Sequence, residues 1–169
     1  MNTDMATLYL DAVSKGIEKS RLTIKHCIDQ ISQEQFWWRP NPEMNSIANI
    51  LLHLSGNIRQ WIIAGMNGTS DDRDRPKEFS DRSGVPKDQI WKLFSETLDE
   101  ARLTLNRLNS ANLGIVRKIQ GYEVNGVDAI YNSTSHLQGH TQEVIYITRM
   151  LLGSSYKLYY TPPGETTRA

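Results

Sequence analysis

The sequence is short of three things: cysteine, net charge and long apolar runs. Cys27 is the one cysteine among 169 residues, so no internal disulfide can form and a reducing compartment, the cytoplasm, is the simpler expectation. The 19 basic and 19 acidic side chains cancel, which argues against a nucleic-acid partner. No apolar run reaches the ~18 residues of a membrane span, and the first residues lack the pattern of a signal peptide. The length suits one domain over residues 1–169.

Apolar residues recur at helical spacing in four segments. These are residues 4–32, 46–66, 86–108 and a last segment that begins near 125–127 and ends at Gly153. An amphipathic helix must bury its apolar stripe against another element, and four such helices are typical of a four-helix bundle. The sequence therefore predicts an all-α fold.

The segments between these helices differ in character. Prolines interrupt residues 33–45, where Phe36, Trp37 and Trp38 are expected to cap one end of the core or else to wall a pocket. Residues 67–85 are polar and predict a long surface loop, whose charges form a solvated face and which could act as a lid. Residues 109–126 are irregular, with a short extended piece at 117–124.

The tail, residues 154–169, is first aromatic and then proline-rich. Its aromatic part is expected to dock on the bundle or on a second subunit, and its last residues to be loose. The side chains in question are Tyr156, Leu158, Tyr159 and Tyr160.

Two of the four histidines lie one helical turn apart in the last helix, within NSTSHLQGHTQEVIYITRML (132–151). His136 and His140 are spaced i, i+4, which places both imidazoles on one helix face, where they can share a metal ion. That face is apolar above and below them, so it is expected to face the core. Its other members are Ala129, Ser133, Val144, Ile147 and Leu151.

The remaining candidate residues depend on how the helices pack. His53 lies at the margin of the stripe of the second helix, and Asn57, one turn on, is expected to be solvated or to hydrogen-bond beside it. If this helix packs against the last one, three imidazoles and an open position would form a catalytic type of metal site. Glu143 could then orient a ligand or act as a base, or it could pair with a cation. The absence of an H-E-x-x-H pattern argues against a zincin protease.

His26 and Cys27, in the first helix, are not expected to take part in such a site. His26 falls nearly opposite the apolar stripe and predicts a solvated surface histidine. Cys27 lies at the edge of the stripe, and nothing near it in sequence would lower its pKa. We therefore expect it to be a packing residue.

Three stretches together resemble the DinB-like superfamily: WWRPNPEMN, then SIANILLHLSGN (46–57), and HLQGHTQEVIYITRMLL (136–152). The resemblance implies an up-down-down-up four-helix bundle, commonly a homodimer. It also implies that His53, His136 and His140 bind a divalent metal, often zinc or nickel. In relatives that metal serves low-molecular-weight thiols such as bacillithiol or mycothiol, in S-transfer or isomerisation.

Three functional hypotheses follow. The first is a metal-dependent thiol S-transferase acting on a small molecule, in which the metal presents the thiol as thiolate. The second is a non-catalytic, dimeric, stress-related domain whose metal is structural or absent. The third is a hydrolase that uses metal-bound hydroxide. A fourth protein ligand would favour the second, and an exchangeable water in that position would favour an enzyme.

Overall fold

The structure is a computed structural model that describes residues 4–160, and helices dominate it. In chain order the helices are α1 (Met5–Ile28), α2 (Gln33–Trp37), α3 (Ile47–Ile58), α4 (Arg75–Ser80), α5 (Lys87–Leu105), α6 (Ser110–Gly114) and α7 (Gly126–Leu152). Helix α3 continues without a break through a π-helical turn, Arg59–Ala64, and a last turn, Gly65–Asn67. The prediction of an all-α protein with four long helices is confirmed.

The four long helices, α1, α3, α5 and α7, pack around one core. Helix α1 packs against α5 and α7, and α3 packs against the same two helices, so α1 and α3 lie diagonally across the bundle. Their apolar stripes meet in fully buried side chains, which include Ile24, Leu51, Ile58, Phe94, Leu98 and Ile130. The up-down-down-up order of helix directions is not tested by these contacts and stays a prediction.

Side-chain caps explain where the helices that carry the histidines begin. The hydroxyl of Ser46 accepts a hydrogen bond from the backbone N–H of Asn49, whose own side chain accepts from the Ser46 N–H. This reciprocal cap satisfies two otherwise unpaired donors at the start of α3. The side chain of Asn125 caps α7 by accepting from the backbone N–H of Asp128, and Gly153, at φ 53°, ends the helix.

The first helix ends earlier than the apolar pattern predicts. Helix α1 ends at Ile28 rather than near residue 32, because Ser32 caps the next helix, α2. Phe36 is fully buried and the indole N–H of Trp37 donates to Val85 O, so these two aromatics close one end of the core.

The two long connections contain regular structure that was not predicted from sequence. Within residues 67–85, Asp74 caps the short helix α4. Residues 109–126 hold α6 and a hairpin in which β1 (Arg117–Ile119) pairs antiparallel with β2 (Tyr122–Val124). The two turn residues, Gln120 and Gly121, both have positive φ, as a two-residue hairpin requires. The extended piece at 117–124 is therefore confirmed.

The tail docks on α1 within the same chain. The side chain of Gln30 accepts from the N–H of Lys157 and donates to its carbonyl oxygen, at 2.7 and 3.3 Å. His26 Nε2 donates to the same carbonyl oxygen at 2.7 Å, so His26 is partly covered and its prediction as a solvated surface residue was wrong. Cys27 is fully buried beside Tyr156, which confirms that it is a packing residue.

Two further predictions concern the C-terminal end of the tail and the absence of a membrane-spanning segment. The proline-rich end of the tail, residues 161–169, lies outside the described residues. Among residues 4–160, no helix combines the length and the apolarity needed to cross a bilayer.

Candidate metal centre

Helices α3 and α7 bring three histidines together. His53 comes from α3, His136 and His140 come from α7, and one ring nitrogen of each lies within 4.8 Å of the other two. A buried hydrogen bond from the Ser133 hydroxyl to the Asn57 side-chain oxygen, 2.8 Å long, joins the two helices beside this cluster. Asn57 is therefore buried and hydrogen-bonded beside the cluster, as one alternative for it predicted, and the other alternative, a solvated side chain, was wrong.

The burial of the three histidines differs from the expectation. The side chain of His53 is 5% exposed, so it lies inside the bundle and not at the margin of a stripe. His136 and His140 are only partly buried, because they line an open groove on the outer side of α7. Their helix face does point at His53, as the i, i+4 spacing predicts, but solvent reaches it as well.

Electrostatics keep His136 neutral. Burial, and then the neighbouring charges of His140, His53, Arg73 and Arg75, lower its pKa to about 4. A histidine must be unprotonated to bind a metal, so His136 is in the binding form at neutral pH.

Two of the imidazoles are held by carboxylates. His53 Nδ1 lies 2.9 Å from Glu78 Oε2, and His140 Nδ1 lies 2.8 Å from Glu143 Oε2. When each Nδ1–H donates to its carboxylate, each Nε2 keeps its lone pair for a metal, which is the usual arrangement around metal-binding histidines. The prediction that Glu143 could orient a ligand agrees with this contact.

The donor set fits a divalent cation. His53 Nε2 lies 2.8 Å from His136 Nε2. Two ring nitrogens this close need a cation or a proton between them, because their lone pairs would otherwise repel each other. Three neutral imidazoles suit zinc, nickel and other transition metals alike.

Glu78 and its partner Arg73 were missed by the sequence analysis, which predicted a solvated charged face for this loop. Arg73 donates to both carboxylate oxygens of Glu78, at 2.7 and 2.8 Å, and the two side chains are 3% and 10% exposed. Burial acts to raise the pKa of Glu78, but hydrogen bonds from Arg73 and His53 outweigh it and hold that pKa below its usual range. The one available signal was Asp74 followed by Pro76, which marks a helix start inside the loop.

The cluster opens to solvent on one side. A groove of about 430 Å³ runs along α7 and is lined by Asn132, Ser135, His136, Gly139, His140 and Glu143. Its size falls within the range of small-molecule sites. A small molecule can therefore reach His136 and His140 without passing through the core.

The fold of this four-helix bundle is that of DinB-like proteins, as comparisons with solved structures show. A conserved protein of Enterococcus faecalis matches with a TM-score of 0.73 and 12% identity, over 90% of this chain and 99% of that chain. The DinB-like protein YjoA of Bacillus subtilis matches with a TM-score of 0.65 and 13% identity, over 88% and 96%. The predicted resemblance to the DinB-like superfamily is confirmed.

The sequence itself identifies the family. The family model described as "Protein of unknown function (DUF1572)" matches residues 4–165, and the chain therefore belongs to the DUF1572 family. No curated protein matches the sequence.

Proposed function

We propose that this protein is a metal-dependent enzyme, and that His53, His136 and His140 hold one divalent cation, zinc or nickel. The observation that supports this most strongly is the convergence of three imidazole nitrogens within 4.8 Å, beside a groove that opens to solvent. Three histidines and an accessible fourth position are typical of catalytic sites, whereas structural zinc sites are closed by a fourth protein ligand. Among the described residues, the cluster contains three ligand side chains and no fourth.

The reaction we propose is S-transfer from a low-molecular-weight thiol such as bacillithiol. The cation, when bound, lowers the pKa of the thiol and presents it as thiolate. The thiol proton is lost, the sulfur bonds to an electrophilic carbon, and the leaving group departs with the electrons of the broken bond. Glu143 borders the groove and already accepts a hydrogen bond from His140, so its second oxygen is available to take that proton.

A hydrolase that uses the same cation to ionise water is the second candidate. The observation in its favour is the same open groove, which admits water as well as a thiol. Dependence of turnover on a thiol separates the two reactions.

We also propose that the protein is a cytoplasmic homodimer. Helix α7 exposes apolar and aromatic side chains on both sides of the groove along its length, Val127 and Tyr131 before it and Tyr146 and Met150 after it, and a second copy would cover them. Light scattering during size-exclusion chromatography tests this, and a mass of one chain would contradict it.

The first experiment is elemental analysis of the purified protein beside the variant His53→Ala. We expect about one zinc or nickel per chain in the wild type and loss of that metal in the variant, followed by a screen for thiol-dependent turnover. If the wild type binds no metal after incubation with zinc or nickel, the enzyme proposal fails and a non-catalytic domain is the better description.

A further inference from the structure

We propose that residues 73–81 form a strap that positions His53, and that metal binding and docking of the strap stabilise each other. Glu78 is the positioning residue: it holds the His53 ring with its proton on Nδ1, so that Nε2 faces His136 and His140. The inference depends on the proposed metal site, but it assigns a role to a segment that lies far from the histidines in sequence.

The buried charges of the strap are the first argument. Arg73 and Glu78 come from a polar loop and would both be hydrated if the loop stayed in solvent. Instead they are 3% and 10% exposed, and they pair through two short hydrogen bonds. A buried ion pair gains little net stability over apolar residues of the same size, so stability alone does not account for it. The pair does place a carboxylate oxygen 2.9 Å from His53 Nδ1.

The geometry shows which contact holds the ring. Arg73 Nη2 lies 3.1 Å from His53 Nδ1, but both nitrogens carry hydrogens in the metal-binding tautomer, so they do not bond to each other. Glu78 Oε2 lies 2.9 Å from His53 Nδ1 and 2.8 Å from Arg73 Nη2, and it accepts from both. The arginine therefore fixes the carboxylate, and the carboxylate fixes the histidine.

Helix α3 leaves room for this pair at one residue, Gly56. A Cβ atom there would overlap Glu78 Oε1 and lie 2.8 Å from Arg73 Nε, closer than side-chain atoms can approach. Glycine inside a helix costs about 1 kcal/mol relative to alanine. The absence of a side chain one turn after His53 is explained by the docked ion pair.

Further contacts hold the strap near the C-terminal end of α4. The side-chain amide of Asn49 donates to the carbonyl oxygens of Glu78 and Asp81, at 2.8 and 3.2 Å, and Arg39 donates to Asp81 O. The ring of Phe79 packs on His53 with a centroid distance of 4.7 Å. These contacts give the strap one docked position, with His53 at its centre.

Coupling between the strap and the metal follows from their shared residue. The docked strap selects the tautomer and ring orientation of His53 that a cation requires, and a bound cation selects the same state. Each therefore increases the affinity of the other by the same factor. A released strap would leave His53 without its carboxylate.

The test measures zinc affinity by competition with a chromophoric chelator, for the wild type, Glu78→Gln and Glu143→Gln. We expect a loss of 10- to 100-fold for Glu78→Gln, the usual effect of removing such a partner, and a loss of less than about threefold for the exposed Glu143→Gln. Glu100→Gln, at an exposed ion pair with Arg59 that includes none of the three histidines, serves as the unaffected control.

A double variant separates positioning from a merely structural role. Arg73→Leu with Glu78→Leu replaces the ion pair by apolar side chains that can keep the strap packed, and it also covers the case in which Glu78→Gln does not fold. We expect weak zinc binding and an altered visible spectrum of the cobalt-substituted protein, even where the strap stays docked. Zinc affinity equal to that of the wild type in this variant would overturn the positioning role.

Limited proteolysis tests the coupling without any activity assay. Trypsin can cut the strap after Lys77, and we expect zinc to slow this cut in the wild type by about tenfold or more, but not in Glu78→Gln. If the wild type binds no zinc, the proposed function and this inference both fail. If the wild type binds zinc and Glu78→Gln binds it equally well, or zinc does not protect Lys77, only the inference fails.

Discussion

The two histidine–carboxylate pairs have similar contact distances, but they differ in sequence separation and in burial. His53–Glu78 and His140–Glu143 have contacts of 2.9 and 2.8 Å. Glu143 is three residues from its histidine on the same helix and is 57% exposed, whereas Glu78 is 25 residues from its histidine and is 10% exposed. An exposed pair at this spacing contributes a few tenths of a kcal/mol, while a buried one constrains the ring. The same bond length therefore does not imply the same role.

The two pairs also mark two faces of the cluster. The strap closes the face at α3, where Gly56 leaves room for Arg73 and Glu78. The groove opens the face at α7, where Gly139 lies between the two histidines and a Cβ would meet nothing within 4 Å. Gly56 therefore leaves room for the ion pair of the strap, and Gly139 borders the groove through which a small molecule can approach.

The largest effect on zinc affinity is expected from removing His136, one of the three proposed metal ligands. We expect His136→Ala to bind zinc at least 100-fold more weakly while its far-ultraviolet circular dichroism stays that of the wild type, because a partly buried side chain is removed without disturbing the core. His26→Ala, the one histidine outside the cluster, is the matched control and should keep its metal. Tight zinc retention by His136→Ala would exclude the triad.

A smaller effect is expected from Gly56→Ala, which damages the closed face without removing any polar group. The added methyl group must displace Glu78 and Arg73, so we expect zinc affinity to fall by about tenfold and cleavage at Lys77 to become faster. An affinity unchanged within twofold would mean that the ion pair can shift without affecting His53.

The pH dependence of the free energy of unfolding of the metal-free protein tests the environment of His136 on the open face. The pKa of His136 is about 4 in the folded protein and about 6.5 when unfolded, so the unfolded chain binds more protons between these values. The contribution of His136 to the free energy of unfolding is therefore fully present above pH 6.5 and is lost as the pH falls towards 4. We expect a loss on the order of 1 to 2 kcal/mol, allowing for solvent screening. Urea unfolding at pH 7 and pH 5 measures it, and His136→Gln should show a smaller change.

The smallest effect, and one of opposite sign, is expected from Gly139→Ala. The methyl group meets nothing, so the substitution should stabilise α7 by about 0.5 to 1 kcal/mol through helix propensity and leave the zinc content unchanged. Thermal unfolding beside Gly56→Ala makes the comparison direct. Equal effects of the two substitutions would show that the two faces do not differ in the way we describe.

The histidines of α7 were predictable because a helix is a local structure. The spacing of His136 and His140, and the position of Glu143 one turn further, follow from 3.6 residues per turn and need no knowledge of the fold. The extended piece at 117–124 was predicted in the same local way, although its pairing as a hairpin was not. His53 was placed at the margin of a stripe because periodicity identifies a face but not the element that covers it.

Glu78 and Arg73 were not predictable from the same patterns. In sequence they belong to a mixed run of charges, and such runs are usually solvated. The feature that decides their burial is the space above Gly56, together with the amide of Asn49, and both lie more than 15 residues away in the chain. The covering of His26 was missed similarly, because nothing near His26 in sequence indicates that Lys157 will lie against it.

The amino-acid sequence by itself determined the four helices and the shared face of His136 and His140, because these depend on contacts within a few residues. Only the tertiary structure decided that His53 is buried, that a strap from residues 73–81 holds it, and that the opposite side of the cluster is open. Those features depend on which surfaces meet. Whether a charged side chain is solvated or buried depends on long-range packing. The cost of burying Arg73 and Glu78 is offset only where both side chains form hydrogen bonds and ion pairs.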